Sequence, residues 1–266
     1  MIGVLGCGNM ASAIVKGIHS KFTDIKFLTY TPSFTRAHDL ALKVNGTAVK
    51  KLSELDECKI LIIGCKPQQF QELATSLRSE INLENKIIIS IMAAVSTSSI
   101  KKQLGISAIC RVMPNTPALI NEGVSLIYHA EEVTSDDKKR VESYFSACSQ
   151  VHVLETEELF DKVTVVTGSG PAYVYYFAKT MVDSLESWGV NGKEAREMVT
   201  QLFIGAASLM NERKDKTLGE LIDEVTSKGG VTIEAINTFK ENNLNEITDK
   251  ALDAAYKRSL ELTRSF

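Results

Sequence analysis

The chain has 266 residues and a mass of 29.2 kDa, a length that suits one large domain or two modest ones. Hydrophobic residues make up 44% and charged residues 24% of it, ordinary globular usage that argues against a disordered, collagen-like or coiled-coil chain. A formal net charge of -3 leaves no basic stripe for nucleic acid, the longest apolar runs (60–65 and 87–91) are far too short to cross a bilayer, and no basic or long apolar leader opens the chain.

In chain order, short β-rich runs fall at residues 2–5, 25–30, 60–64, 87–91, 108–112 and 124–128. Helical periodicity falls between several of them, at 9–20, 34–44, 68–79 and 96–104. Strand–helix alternation with nearly continuous apolar strands predicts a mostly parallel sheet covered on both faces. A helix at 135–149 and a short strand at 151–154 complete this half. After about residue 156 the strand signals stop, and amphipathic helices are expected at 157–166, 171–187, 193–212, 218–225, 231–241 and 244–263. The expected fold is therefore α/β at the N-terminus (1–156) and all-α at the C-terminus (157–266).

Five cysteines, an odd number without a C-x-x-C pair, and four scattered histidines suggest reduced, partly buried thiols in a cytoplasmic protein, with no metal site.

Gly6-Cys7-Gly8-Asn9-Met10-Ala11 is a G-x-G-x-x-A segment between an expected strand and an expected helix. Its first glycine permits the tight turn, the second admits a pyrophosphate, and Ala11 keeps helix and strand close. The helix N-terminus offers unpaired N–H groups to an anion; the plain alternative is a glycine turn without a ligand. At the end of the second strand, NAD binders carry an acid that accepts ribose hydroxyls. Here the residues are Tyr30-Thr31-Pro32-Ser33, then Arg36. Hydroxyls and a guanidinium favour a 2′-phosphate, so NADPH is preferred, with NADH as second candidate; the alternative is an ordinary turn followed by a solvated arginine.

Cys65-Lys66-Pro67 ends the third strand and Met92-Ala93-Ala94 follows the fourth, both at the carboxyl edge where ligands bind in such sheets. Lys66 suits a ligand-facing cation or an exposed lysine equally, and the alanines suit a flat ring or a packed corner. Met113-Pro114-Asn115-Thr116-Pro117 makes a stiff loop. Thr167–Tyr173 and Thr226–Thr232 each place glycines and hydroxyls before a helix, which fits a small-anion site or simple capping.

With these segments in order, the chain resembles the pyrroline-5-carboxylate reductase family over nearly its whole length. The specific parts are Cys65–Gln68, Met113–Ala118, Gly168–Tyr173 and Ser227–Ala235. The resemblance implies reduction of 1-pyrroline-5-carboxylate to L-proline with NAD(P)H, the last step of proline synthesis. It implies a Rossmann domain followed by a helical domain that dimerises, with dimers assembling further in many members. It also implies that Thr232 hydrogen-bonds the imine nitrogen, and that Thr226, Ser227, Gly229, Gly230 and Val231 form the loop receiving the substrate carboxylate. Gly6, Gly8, Asn9, Met10, Ala11, Thr31, Ser33, Arg36, Cys65, Lys66, Pro67, Met92, Ala93 and Ala94 would line the coenzyme. The chain departs from the family at Lys228, where proline is usual, and at Thr217-Leu218, where His-Pro is common.

Two rival readings stay open on sequence. One is a β-hydroxyacid dehydrogenase, which would use a helical lysine such as Lys179 as general acid. The other is a nucleotide-binding regulator without chemistry, for which the N-terminal loop alone would suffice.

Overall fold

The computed structural model describes residues 1–264. Eight strands form one sheet: β1 (Ile2–Leu5), β2 (Phe27–Tyr30), β3 (Thr47–Ala48), β4 (Ile60–Ile63), β5 (Ile87–Ser90), β6 (Ile109–Pro114), β7 (Gly123–His129) and β8 (Ser149–Val153), in spatial order β3-β2-β1-β4-β5-β6-β7-β8. Every residue of β1, β4 and β5 is buried. That is why these strands read as unbroken apolar runs, as expected of parallel strands covered on both faces. Pairing is parallel from β3 through β6, with Leu5 opposite both Tyr30 and Ile63. β6 and β7 then pair antiparallel, Cys110 opposite His129, and β8 runs parallel to β7. The connection between β6 and β7 is too short for a parallel crossover.

Helices α1 (Asn9–Lys21), α2 (Thr35–Lys43), α3 (Phe70–Glu80), α4 (Thr97–Leu104), α5 (Ser135–Phe145) and α6 (Glu157–Thr167) accompany the sheet. α1 buries Ala11, Ile14, Val15 and Ile18. It comes so close to the chain after α5 that a Cβ on Gly17 would lie 2.7 Å from that of Cys148. α5 ends at Phe145, four residues short of the expected 149, and residues 146–148 turn into β8.

The remaining helices are α7 (Gly170–Ser187), α8 (Gly192–Glu212), α9 (Leu218–Glu224), α10 (Val231–Glu241) and α11 (Leu244–Thr263). By compactness the chain divides into residues 1–171 together with the described residues from 255 onward, and residues 172–254. α6 belongs with the sheet because Arg111 of β6 binds its Glu157 and Asp161, at 2.7 and 2.9 Å.

The helical unit has its own local devices. Asn191 caps α8 by accepting from Lys193 N–H at 3.0 Å. Phe177 packs against Phe203 and Phe239 with ring centroids 6.4 and 6.3 Å apart. Yet among its residues only Ala195 and Val199 are buried, while Tyr176, Trp188 and Val231 are 73%, 78% and 91% exposed.

Candidate active site

The strand order reverses at β1, whose neighbours are β2 and β4, so a crevice opens beyond the carboxyl ends of these strands. A cavity of about 590 Å³ occupies it. Gly6 forms its floor with φ of +91°, and its N–H donates to Tyr30 O at 3.0 Å. A Cβ on Gly6 would lie 2.7 Å from the backbone nitrogen of Cys65, so both conformation and space demand glycine. At Gly8 a Cβ would meet nothing within 4 Å, and the missing side chain leaves the mouth of the cavity open. Gly8 is also the N-cap of α1 and supplies no side-chain cap, so the first-turn N–H groups of that helix have no side-chain acceptor.

The 31–36 turn closes one side. Phe34 N–H donates to Thr31 O at 2.9 Å, and Phe34 takes φ of +59° as it enters α2. Thr31, Ser33 and Arg36 all line the cavity. Thr31 Oγ1 is buried and has no hydrogen-bond partner. A buried hydroxyl without a partner is costly, and a ligand oxygen would satisfy it. A guanidinium, an orphaned hydroxyl and an uncapped helix start together fit a dinucleotide carrying an extra phosphate.

Cys65 and Lys66 also line the cavity, with Lys66 exposed. Pro67 begins a short 3-10 helix, Pro67–Gln69, ahead of α3. Gln69, Glu72, Leu73 and Ser76 form a wall that sequence reasoning missed; α3 was legible as a helix, but the face it turns to the crevice was not. Asn9, Met10, Ala11, Pro67 and Met92–Ala94 are not among the cavity's lining residues. Ala11 is buried behind the loop, and Met92 joins the rim through Cys65, whose Sγ lies 3.6 Å from Met92 Sδ. Ala94 is held at φ of +57°, a region that an L-residue enters at a cost of about 1–2 kcal/mol. Burial pushes the thiols of Cys7 and Cys65 up to about 11, so neither is a nucleophile at neutral pH.

In the helical unit, Thr226–Thr232 forms the turn from α9 into α10. Thr226 Oγ1 donates back to Ile222 O at 2.6 Å. Gly229 takes φ of +72°, Gly230 N–H donates to Ser227 O at 3.0 Å, and a Cβ on Gly230 would collide with Ser227 Oγ. Gly230 is the N-cap of α10 and no side chain caps the helix, so simple capping does not account for the hydroxyls here. Thr232 is exposed. Thr238 and Thr248 return their hydroxyls to carbonyls four residues back, at 2.9 and 2.8 Å; the hydroxyl of Thr232 forms no hydrogen bond among the described residues. The turn offers backbone donors and one spare hydroxyl. Just upstream, Thr217 and Glu220 form a capping box that starts α9 without the usual His-Pro pair.

Lys179, the general acid of the rival dehydrogenase reading, is engaged with Asp183 at 2.6 Å, and that hydrogen bond raises its pKa. No cluster of metal-ligating side chains exists among the described residues.

A family model described as pyrroline-5-carboxylate reductase dimerisation matches residues 157–262, and one described as NADP oxidoreductase, coenzyme F420-dependent, matches residues 1–94. The pyrroline-5-carboxylate reductase of Vibrio alginolyticus is 32% identical over 271 aligned residues, covering 100% of this chain and 98% of that protein. The solved structure of a pyrroline-5-carboxylate reductase from Coxiella burnetii superposes with a TM-score of 0.91 at 29% identity, over 98% of each chain. The Plasmodium falciparum pyrroline carboxylate reductase, solved with NADP bound, gives a TM-score of 0.85 at 27% identity, over 98% of this chain and 97% of that one. With end-to-end similarity of this order and the family's dimerisation model spanning α6 to α11, the chain belongs to the pyrroline-5-carboxylate reductase family.

Proposed function

We propose that this chain reduces 1-pyrroline-5-carboxylate to L-proline with a hydride from NADPH, the last step of proline synthesis. The observation that carries the reading is the end-to-end similarity to a reductase of that name. The crevice and the 226–232 turn support it chemically. Gly6, Gly8 and the start of α1 would hold the pyrophosphate, and Thr31, Ser33 and Arg36 the 2′-phosphate, which favours NADPH over NADH.

NADPH supplies the hydride when bound, and the chain's own residues supply position. A protonated imine carries positive charge at nitrogen, so its carbon accepts hydride without a general acid. The nitrogen keeps its proton, and the product is a neutral secondary amine that takes a further proton from water. Backbone N–H groups at the start of α10 receive the substrate carboxylate, Thr226, Ser227, Gly229 and Gly230 give the turn its shape, and the Thr232 hydroxyl accepts from the imine N–H. The gain is orientation of two reacting carbons.

The exposed apolar residues of the helical unit support a homo-oligomer, since a face of this kind needs a partner. The five cysteines are unpaired, which supports a reducing compartment such as the cytoplasm.

The test is consumption of NADPH with synthetic pyrroline carboxylate. Thr232→Ala should lower kcat roughly ten- to a hundredfold, the worth of a hydrogen bond to a charged group, with the Kd for NADPH within about twofold. Unchanged turnover removes Thr232 from the site.

A further inference from the structure

Arg111 of β6 is 1% exposed, and its guanidinium lies 4.5 Å over the Phe160 ring. Its Nη1 donates to Glu157 Oε1 at 2.7 Å and its Nη2 to Asp161 Oδ1 at 2.9 Å. Glu157 does more than pair with the arginine. Oε1 also accepts from Thr97 N–H at 2.7 Å, and Oε2 accepts from Thr97 Oγ1 at 2.7 Å. One carboxylate at the start of α6 therefore grips the start of α4. At the far end of α6, Asn115 Nδ2 donates to Thr167 O at 3.1 Å while its Oδ1 accepts from Val124 N–H at 2.8 Å. The helix is a post fixed to the sheet at both ends.

Thr97 directly follows the 91–96 turn that leaves β5. The near end of that turn is tied by Ile91 N–H to Ile63 O at 3.0 Å, and Met92 Sδ meets the rim residue Cys65. Between the two ends sits Ala94, in the left-handed region at φ of +57°. A strained residue persists only where its surroundings over-determine it. Ser96 caps α4 by accepting from Ser99 N–H at 3.1 Å, and Glu157 accepts the first-turn Thr97 N–H that Ser96 leaves open. The Glu157 carboxylate thus both satisfies the helix start and fixes the end of the turn that precedes it.

We propose that Glu157 is a positioning residue for hydride transfer: paired to buried Arg111, it grips Thr97 and so holds Met92–Ala94 in the shape that walls the nicotinamide end of the coenzyme. This rests on the proposed reaction and on the family resemblance that puts Met92–Ala94 beside the coenzyme, beyond the cavity that Cys65 lines. Loss of the grip lets Ala94 relax, and the turn moves away from the ring. Glycine enters the left-handed region without that cost, so in an Ala94→Gly background the bent shape stays accessible and depends less on the grip.

The experiment measures Glu157→Gln in the full chain, alone and with Ala94→Gly, each compared with its own background. Alone, it should lower kcat for pyrroline carboxylate by roughly ten- to a hundredfold. It should raise the Kd for NADPH at least about threefold and leave that for adenosine 2′,5′-bisphosphate within about twofold, because only the nicotinamide half meets the turn. With Ala94→Gly both penalties should shrink below about threefold. Equal penalties in the two backgrounds, or parallel loss of both ligands, overturn the proposal. If Glu157→Gln fails to fold, Thr97→Val removes one of the two grips and takes its place in the same comparison. A wild-type chain that binds NADPH but leaves pyrroline carboxylate untouched sinks the proposed reaction, while the two affinities still decide the role of Glu157.

Discussion

Arg36 forms no ion pair among the described residues, and it lines the same cavity as the orphaned Thr31 hydroxyl. Arg36→Gln should lower kcat/KM for NADPH roughly tenfold or more, the value of a charge-assisted bond to phosphate, and change that for NADH less than about twofold. Equal losses with both coenzymes, in steady-state assays, would remove Arg36 from phosphate recognition. His129 makes a different kind of prediction. Its Nδ1 lies 3.1 Å from Cys110 Sγ and its Nε2 3.2 Å from Glu142 Oε1. Burial holds its pKa below the usual 6.5 although Glu142 pulls the other way and Lys138 adds to the lowering. The unfolded chain therefore binds the proton first, and this residue's stabilising contribution is present above pH 6.5 and lost as pH falls below it. In thermal melts from pH 7 to pH 5, His129→Gln should show a shallower decline than the wild type. At this scale the sequence made the loop glycines and the 31–36 turn legible, since their chemistry is local. It could not show that Thr31 lacks a partner, because that depends on every neighbour the fold brings near it.

Among the elements, the capping box at Thr217 stands where the family commonly has His-Pro. Thr217 Oγ1 accepts from Glu220 N–H at 3.2 Å, and Glu220 Oε2 accepts from Thr217 N–H at 2.7 Å. Thr217→Ala should cost about 1 kcal/mol, visible as a fall of about 2–4 °C in Tm, with little change in kcat; an unmoved Tm would show that the box is dispensable. The helices were legible because caps and apolar periodicity are written locally. Two features of the sheet were not. β3 is only Thr47–Ala48, too short for any alternation to register. The antiparallel turn of β7 against β6 is invisible to hydrophobic pattern, which carries no direction, although the short connection at residues 115–122 held the clue. α6 looks from its periodicity like the first of the helical set, and Arg111 also ties it to the sheet through Glu157 and Asp161.

At the scale of the whole molecule, the helical unit buries so few of its own apolar side chains that its stability must come from association. Tm should therefore rise with protein concentration over a hundredfold range, and sedimentation should show dissociation on dilution accompanied by loss of helical signal. A concentration-independent Tm with a monomeric sedimentation profile would refute the oligomer. One property of the chain also has a use at the bench. Burial pushes Cys7 and Cys65 up to about 11 and Cys110 up to about 12, and it raises Cys58 and Cys148 too. A thiol near 11 is ionised to about one part in ten thousand at neutral pH. The buried native cysteines should therefore take a maleimide dye far more slowly than a single cysteine introduced on an exposed helix face, giving a fluorescent reporter without first stripping the chain of its own sulfur.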